Sequence, residues 1–330
     1  MGLLVKGEWH DKWYDTDKSD GAFEREDAQL RSWVTADGSA GPSGNAGFKA
    51  ESGRYHLYVS LACPWAHRTL IFRQLKGLAG HIGVSVVSPD MLDHGWTFDT
   101  EAGSSGDPLY HSDFMHQIYT RNKSDYTGRV TVPVLWDKQQ ECIVSNESAE
   151  IIRMLNSAFN DITGDQQDFC PEHLKPQIDE VNERVYHTIN NGVYKAGFAT
   201  KAEKYEAAFS ELFDSLDWLE ERLTQQRYLV RDGDKSVLTE ADWRLFTTLI
   251  RFDAVYFGHF KCNLRRIEDY PAISGYVRDL YQHPGVVETV DFSHIKRHYY
   301  YSHDMINPTR IVPVGPALDF NRAHGRESLK

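Results

Sequence analysis

The run "YHLYVSLACPWAHRTL", residues 55–70, changes its period halfway along, and that change decides the fold. Residues 55–61 are aromatic and β-branched with an alternating pattern, which predicts a strand. From Pro64 to Leu75 the apolar residues Trp65, Leu70, Ile71 and Leu75 fall at helical spacing. Pro64 suits the first turn, where a missing N–H costs nothing. Residues 81–88, "HIGVSVVS", predict a second strand, and strand-helix-strand implies a right-handed parallel crossover.

Working outward, residues 90–127 break the rhythm with Gly and Ser clusters and read as an insertion. "RVTVPVLWD" (129–137) and "ECIVS" (141–145) read as two strands of a hairpin. "NESAEIIRMLNSAF" (146–159) follows as a helix, with Asn146 as its cap and Ile151, Ile152, Leu155 and Phe159 on one face. The order β-α-β, insertion, β-β-α is the thioredoxin-like arrangement.

After Gly164 the strand patterns stop. Residues 171–191, 201–224, 239–257 and 271–281 all read as helices. Thr239 and Asp242 in "TEADWRLF" have capping-box spacing, with Asp in place of the usual Glu, and are read as structural. The first fifty residues are polar and rich in glycine, "TADGSAGPSGNAGF" (35–48) reading as loop, while Trp9, Trp13 and Trp33 suggest packing onto the body. The last forty residues read as irregular. The expected organisation is an extension over 1–50, a thioredoxin-like domain over 51–162, an all-helical domain over 163–290 and a second extension over 291–330.

The chain has 330 residues, with 48 acidic against 36 basic side chains and a net charge of −12. That balance, without a basic stripe, argues against a nucleic-acid binder. No apolar run approaches the about 18 residues of a membrane span. "MGLLVKGEWHDKWYD" lacks the basic flank and apolar core of a signal peptide, so a cytoplasmic protein with reduced thiols is expected.

Four readings of Cys63 compete: inert packing, a metal ligand, half of a disulfide, or a nucleophile. It has no Cys-x-x-Cys companion, because Ala66 stands where a second cysteine would be. His294 and His298 have ligand spacing but no further metal motif joins them. The nucleophile reading draws on position. A cysteine where a strand meets a helix points its sulfur at unpaired N–H groups and the positive end of the helix dipole, and both favour the thiolate. At an ordinary pKa of ~8.5 about 3% of a thiol is ionised at pH 7, whereas at ~5.5 almost all of it is. Without a resolving cysteine such a thiol depends on an external one, for which glutathione is the cytosolic candidate.

The stretch Cys63-Pro-Trp-Ala-His-Arg68, the Val132-Pro133 dipeptide and the Glu147-Ser148 pair together resemble a glutathione transferase. "HGWTF" (94–98), "NNGVYKAGF" (190–198), "RHYYYSH" (297–303) and the long termini are similar to one branch, the glutathionyl-hydroquinone reductases or Xi class. The resemblance implies a thioredoxin-like domain followed by an all-helical one. It implies glutathione as co-substrate rather than a bound cofactor, and a homodimer. By the same resemblance Cys63 attacks the sulfur of a glutathionyl-hydroquinone, and a second glutathione resolves the mixed disulfide to oxidised glutathione. Val132 and cis-Pro133 would hold the cysteinyl part of glutathione, and Glu147 and Ser148 its γ-glutamyl end. Trp96 and Arg129 would add contacts to glutathione. Tyr194 and Tyr299 would meet the hydroquinone, although Tyr300 and Tyr301 directly follow the latter. The rival readings are a general omega-like transferase or dehydroascorbate reductase, and a non-catalytic transferase-like binding module.

Overall fold

The structure, a computed structural model, describes residues 2–329. Two compact units divide the chain, each assembled from separated stretches. The first consists of Glu26–Gln167 with the N-terminal residues to Trp13 and with Glu288–Arg310. The second consists of Asp168–Val287 with Tyr14–Arg25 and the residues from Ile311 onward.

The first unit opens with strands β1 (Leu3–Val5) and β2 (Glu8–His10), a hairpin that the polar, glycine-rich N-terminus did not predict. Its turn, Lys6-Gly7, has φ of 50° and 82°, the primed geometry that matches strand twist. A Cβ on Gly7 would lie 2.0 Å from the Ser124 carbonyl oxygen, so no other residue fits that turn unchanged. Then come β3 (Tyr55–Val59), α1 (Pro64–Leu75), β4 (Gly83–Val86) and, inside the insertion, α2 (Met115–Asn122). β5 (Gly128–Arg129), β6 (Val134–Asp137), β7 (Cys142–Ser145), α3 (Ser148–Ser157) and α4 (Asn160–Thr163) complete this stretch.

The central sheet runs β4-β3-β6-β7, with β3 parallel to β4 and antiparallel to β6, and β6 antiparallel to β7. This is the expected β-α-β, β-β-α order. Every residue of β3 is buried, because both faces of the sheet are covered. The helices α1 and α3 pack together. The insertion covers the face bearing His56, Tyr58 and Trp136: the Tyr58 hydroxyl donates to Asp107 Oδ1 at 3.1 Å, and Trp136 Nε1 donates to the Tyr110 hydroxyl at 2.9 Å. Those bonds answer the polar atoms that burial would otherwise leave unpaired.

Residues 129–137, expected as one strand, form two. Proline has no N–H for a ladder, so the strand breaks around Val132-Pro133. Before the break β5 pairs with β1, and after it β6 pairs with β3. Asn146 does not cap α3; its amide instead ties Leu30 N and the Tyr119 hydroxyl, and the cap passes to Glu147.

The second unit holds α5 (Lys175–Val185), which continues as a π-turn over Tyr186–Asn190, then α6 (Gly192–Phe198) and α7 (Ala202–Gln225). A short hairpin of β8 (Val230–Asp232) and β9 (Lys235–Val237) corrects the expectation that strands end at Gly164. Three-residue strands carry too little pattern to be read. α8 (Glu240–Arg251) and α9 (Pro271–Tyr281) follow. The Thr239–Asp242 capping box forms: Asp242 accepts from Thr239 N at 2.8 Å, and also from Leu229 N and the Tyr276 hydroxyl. Burial pushes its carboxyl up to about 6. The last helix, α10 (Phe292–Ser302), belongs to the first unit and corrects the reading of the final forty residues as irregular. Among the described residues no helix is long and apolar enough to cross a membrane.

Candidate active site

Cys63 is the N-cap of α1, in extended conformation, with Pro64 at the first helical position. Its carbonyl accepts the first intrahelical bond, from His67 N at 3.0 Å. The half-buried thiol lies at the helix start, and Sγ reaches the Val132 carbonyl oxygen at 3.6 Å. The Val132-Pro133 peptide is cis. The Val132 N–H makes no hydrogen bond among the described residues, so the backbone facing the cysteine offers a donor as well as an acceptor.

Glu147 is the N-cap of α3, where Oε1 accepts from Ala149 N at 2.9 Å. Ser148 follows at the first helical position with 3% of its surface exposed. Arg68, from the cysteine's own helix, donates from Nη1 to Ser148 Oγ at 3.3 Å, while its guanidinium lies 4.5 Å from the Trp65 ring centroid. An arginine can only donate, so Ser148 Oγ is the acceptor here and its own proton points elsewhere. Reading the sequence for chemistry missed this role of Arg68. Its place one turn after Pro64 marks a helix face but not its partner on another helix. His67 is turned to Thr289, with Nε2 2.8 Å from Oγ1.

Trp96 is buried and stacked on His298, the ring centroids 4.7 Å apart at 24°. Nδ1 of His298 is held by the Pro89 carbonyl at 2.9 Å. Tyr299, the next residue, is 1% exposed and meets His298 and His303 edge-on. Tyr301 instead lies under Arg297, 4.2 Å from guanidinium carbon to ring centroid, and Tyr300 and Tyr301 are both half-buried. Arg129 is turned to the N-terminal segment: Nε pairs with Glu26 Oε1 at 3.2 Å, and the two terminal nitrogens donate to the Lys12 and Trp13 carbonyls.

Tyr194 lies in α6 of the helical unit, 9% exposed, in an aromatic cluster with Phe23, Phe198, Tyr256 and Phe260. The structure therefore gathers Cys63, Val132, Pro133, Glu147 and Ser148 at the starts of α1 and α3 and the break before β6. Trp96 and Tyr299 share an aromatic cluster at α10.

The combination of a thioredoxin-like sheet, a cysteine capping its first helix and a mainly helical second unit defines a class. Residues 62–158 match the glutathione S-transferase N-terminal domain family, and residues 202–279 the glutathione S-transferase C-terminal domain family. The chain belongs to the glutathione S-transferases, and within them to the Xi class, the glutathionyl-hydroquinone reductases. It is 56% identical to glutathionyl-hydroquinone reductase YqjG of Escherichia coli over 99% of both chains. It is 54% identical to glutathionyl-hydroquinone reductase PcpF of Sphingobium chlorophenolicum, covering 96% of this chain and 97% of the relative. The glutathione-bound structure of YqjG superposes with a TM-score of 0.91 at 53% identity, over 99% of each chain.

Proposed function

We propose that the protein reduces glutathionyl-hydroquinones to hydroquinones at the expense of glutathione, with Cys63 as nucleophile. The observation that carries this reading is the position of Sγ, at the helix N-terminus and against the Val132 backbone. The Cys63 thiolate attacks the glutathionyl sulfur. A Cys63–glutathione disulfide forms, the aryl carbon–sulfur bond breaks, and its electron pair stays on the ring carbon. That carbon takes a proton, for which Tyr194 and Tyr299 supply phenols. A second glutathione thiolate attacks the mixed disulfide, releasing oxidised glutathione and restoring the Cys63 thiolate. The net exchange consumes one glutathione thiol and its proton.

The cysteinyl part of glutathione is assigned to the Val132 backbone beside Pro133. The γ-glutamyl ammonium is assigned to Glu147, and its carboxylate to Ser148 and the positive end of α3. Trp96 and Arg129 complete the glutathione side. Glutathione is a co-substrate in this reading, no cofactor is resident, and the enzyme works as a cytoplasmic homodimer. The relatives named for this activity support it, and the thiol-capped helix supplies the chemistry.

The test is formation of oxidised glutathione from a panel of glutathionyl-hydroquinones. Wild type should turn them over, whereas Cys63→Ala should be inactive yet still retained on immobilised glutathione. Turnover of mixed disulfides or dehydroascorbate with none of the hydroquinones would favour the general transferase. A protein that glutathione-agarose does not retain would be a structural module.

A further inference from the structure

Within the helical unit, the N-terminal segment Tyr14–Arg25 is fastened along α6 and its surroundings. Thr200 N donates to the Gly21 carbonyl at 3.0 Å, and Lys201 pairs with Asp20. Phe23, 5% exposed, lies 6.2 Å from the Tyr194 ring at 28° and 5.5 Å from Phe198. Arg25 follows. Its Nε donates to Asn191 Oδ1 at 2.9 Å, and Asn191 is buried at the start of α6. That bond holds the guanidinium over Tyr194, with Cζ 4.9 Å from the ring centroid. The rings of Phe23, Phe198, Tyr256 and Phe260 also lie against Tyr194.

A guanidinium keeps its charge under all working conditions. Over an aromatic ring it is attracted by the π electrons, and the attraction rises as the ring gains negative charge. A phenol surrendering its proton is such a ring. In an apolar cluster a phenolate is otherwise unfavourable, because little solvent answers its charge.

We propose that Arg25 is a positioning residue that acts through Tyr194, making this phenol an effective proton donor to the hydroquinone leaving group. As the carbon–sulfur bond opens, the Tyr194 hydroxyl passes its proton to the ring carbon that keeps the electron pair. The negative charge moves to the Tyr194 oxygen and its ring, under Arg25, until a proton from water restores the phenol. The proposal rests on the assignment of Tyr194 to the hydroquinone ring. A segment outside both family-matched regions thus tunes the acid.

The experiment measures kcat on a glutathionyl-hydroquinone and on a small glutathione mixed disulfide for Arg25→Met, Arg25→Gln and Arg25→Lys. Each is made in the wild-type and Tyr194→Phe backgrounds. Arg25→Met and Arg25→Gln should lower kcat on the hydroquinone about tenfold, with KM for glutathione held. Arg25→Lys should recover most of that loss, since it keeps the charge. In the Tyr194→Phe background the Arg25 substitutions should add nothing. Mixed-disulfide reduction reports intact folding. Equal losses on both substrates, an unimproved Arg25→Lys, or the same loss in the Tyr194→Phe background would overturn the proposal. Loss from Tyr194→Phe without loss from Arg25→Met removes Arg25 alone. Full hydroquinone turnover by Tyr194→Phe removes the assignment of Tyr194 itself.

Discussion

The sulfur of Cys63 and the carbonyl oxygen of Val132 lie 3.6 Å apart, the one at the start of a helix and the other at the break before a strand. The contact suits a thiol, which can donate to the carbonyl. Ionisation surrenders it and leaves the sulfur to the N–H groups and dipole of α1. Glutathione bound along the same backbone would bring its sulfur towards Cys63. The resting and the reactive forms of the cysteine thus use different partners on neighbouring backbone.

The helix start should make Cys63 the fastest thiol to alkylate. Cys142 is held back by burial, which pushes it up to about 11, and buried Cys262 is raised further by the same cause. Iodoacetamide rates against pH, resolved by peptide mapping, should show Cys63 titrating below the ordinary thiol value of ~8.5. A midpoint above that value would end its assignment as nucleophile.

With Ala66 in place of a resolving cysteine, substrate given without excess thiol should leave one glutathione bound to Cys63. Intact-mass spectrometry measures the adduct, and reduction should remove it. An intramolecular disulfide to Cys142, Cys170 or Cys262 would mean that resolution is internal.

Loss of one phenol hydroxyl should matter only where an aromatic carbon must be protonated. Tyr194→Phe and Tyr299→Phe should each lower turnover of glutathionyl-hydroquinones by roughly ten- to a hundredfold, a loss of about 1–3 kcal/mol. Reduction of a simple mixed disulfide, whose leaving group is a thiolate, should be nearly unchanged. Matching losses on both substrates would mark the tyrosines as structural.

His56 gives a stability prediction. It lies in β3, 4% exposed, with Nε2 2.8 Å from Ser85 Oγ, and burial pushes its pKa down to about 4 from 6.5. The unfolded chain therefore binds a proton that the folded one refuses between those values. Stability is full above about 6.5 and falls as pH drops towards 4. Between pH 7.5 and 5 this group alone should cost about 2 kcal/mol, read by urea unfolding. His56→Gln should flatten the difference, and an unchanged slope would place the pH dependence elsewhere.

α1 and α9 were readable to the residue, both beginning at a proline in the first turn, and the capping box marked the start of α8, whose end at Arg251 falls short of the expected 257. The β1–β2 hairpin was not readable, since three-residue strands are too short to display alternation. Nor was α10, where His298, Tyr299, Tyr300 and Tyr301 in succession hide any amphipathic stripe. At the site, Cys63 announced itself by standing where the period changes. Val132, Glu147 and Ser148 came from family resemblance, and their spacing alone says nothing of glutathione. The partners of Tyr194, Ser148 and Arg129 come from distant stretches of chain, and a single sequence holds no signal for such pairings.

The thioredoxin-like unit is closed by α10, whose Arg297 pairs with Asp90, whose His298 meets the Pro89 carbonyl and whose Ser302 accepts from Met91 N. Translation therefore delivers the final wall of the first-made unit only after every helix of the helical unit has been synthesised. A nascent chain released before α10 would carry Trp96 without its stacking partner and a loop at Pro89–Met91 without its anchors. Folding on the ribosome cannot finish one unit and then begin the next, as it can for domains strung in series. A chain broken before α10 leaves the first unit open and also lacks the residues from Ile311 onward that complete the second.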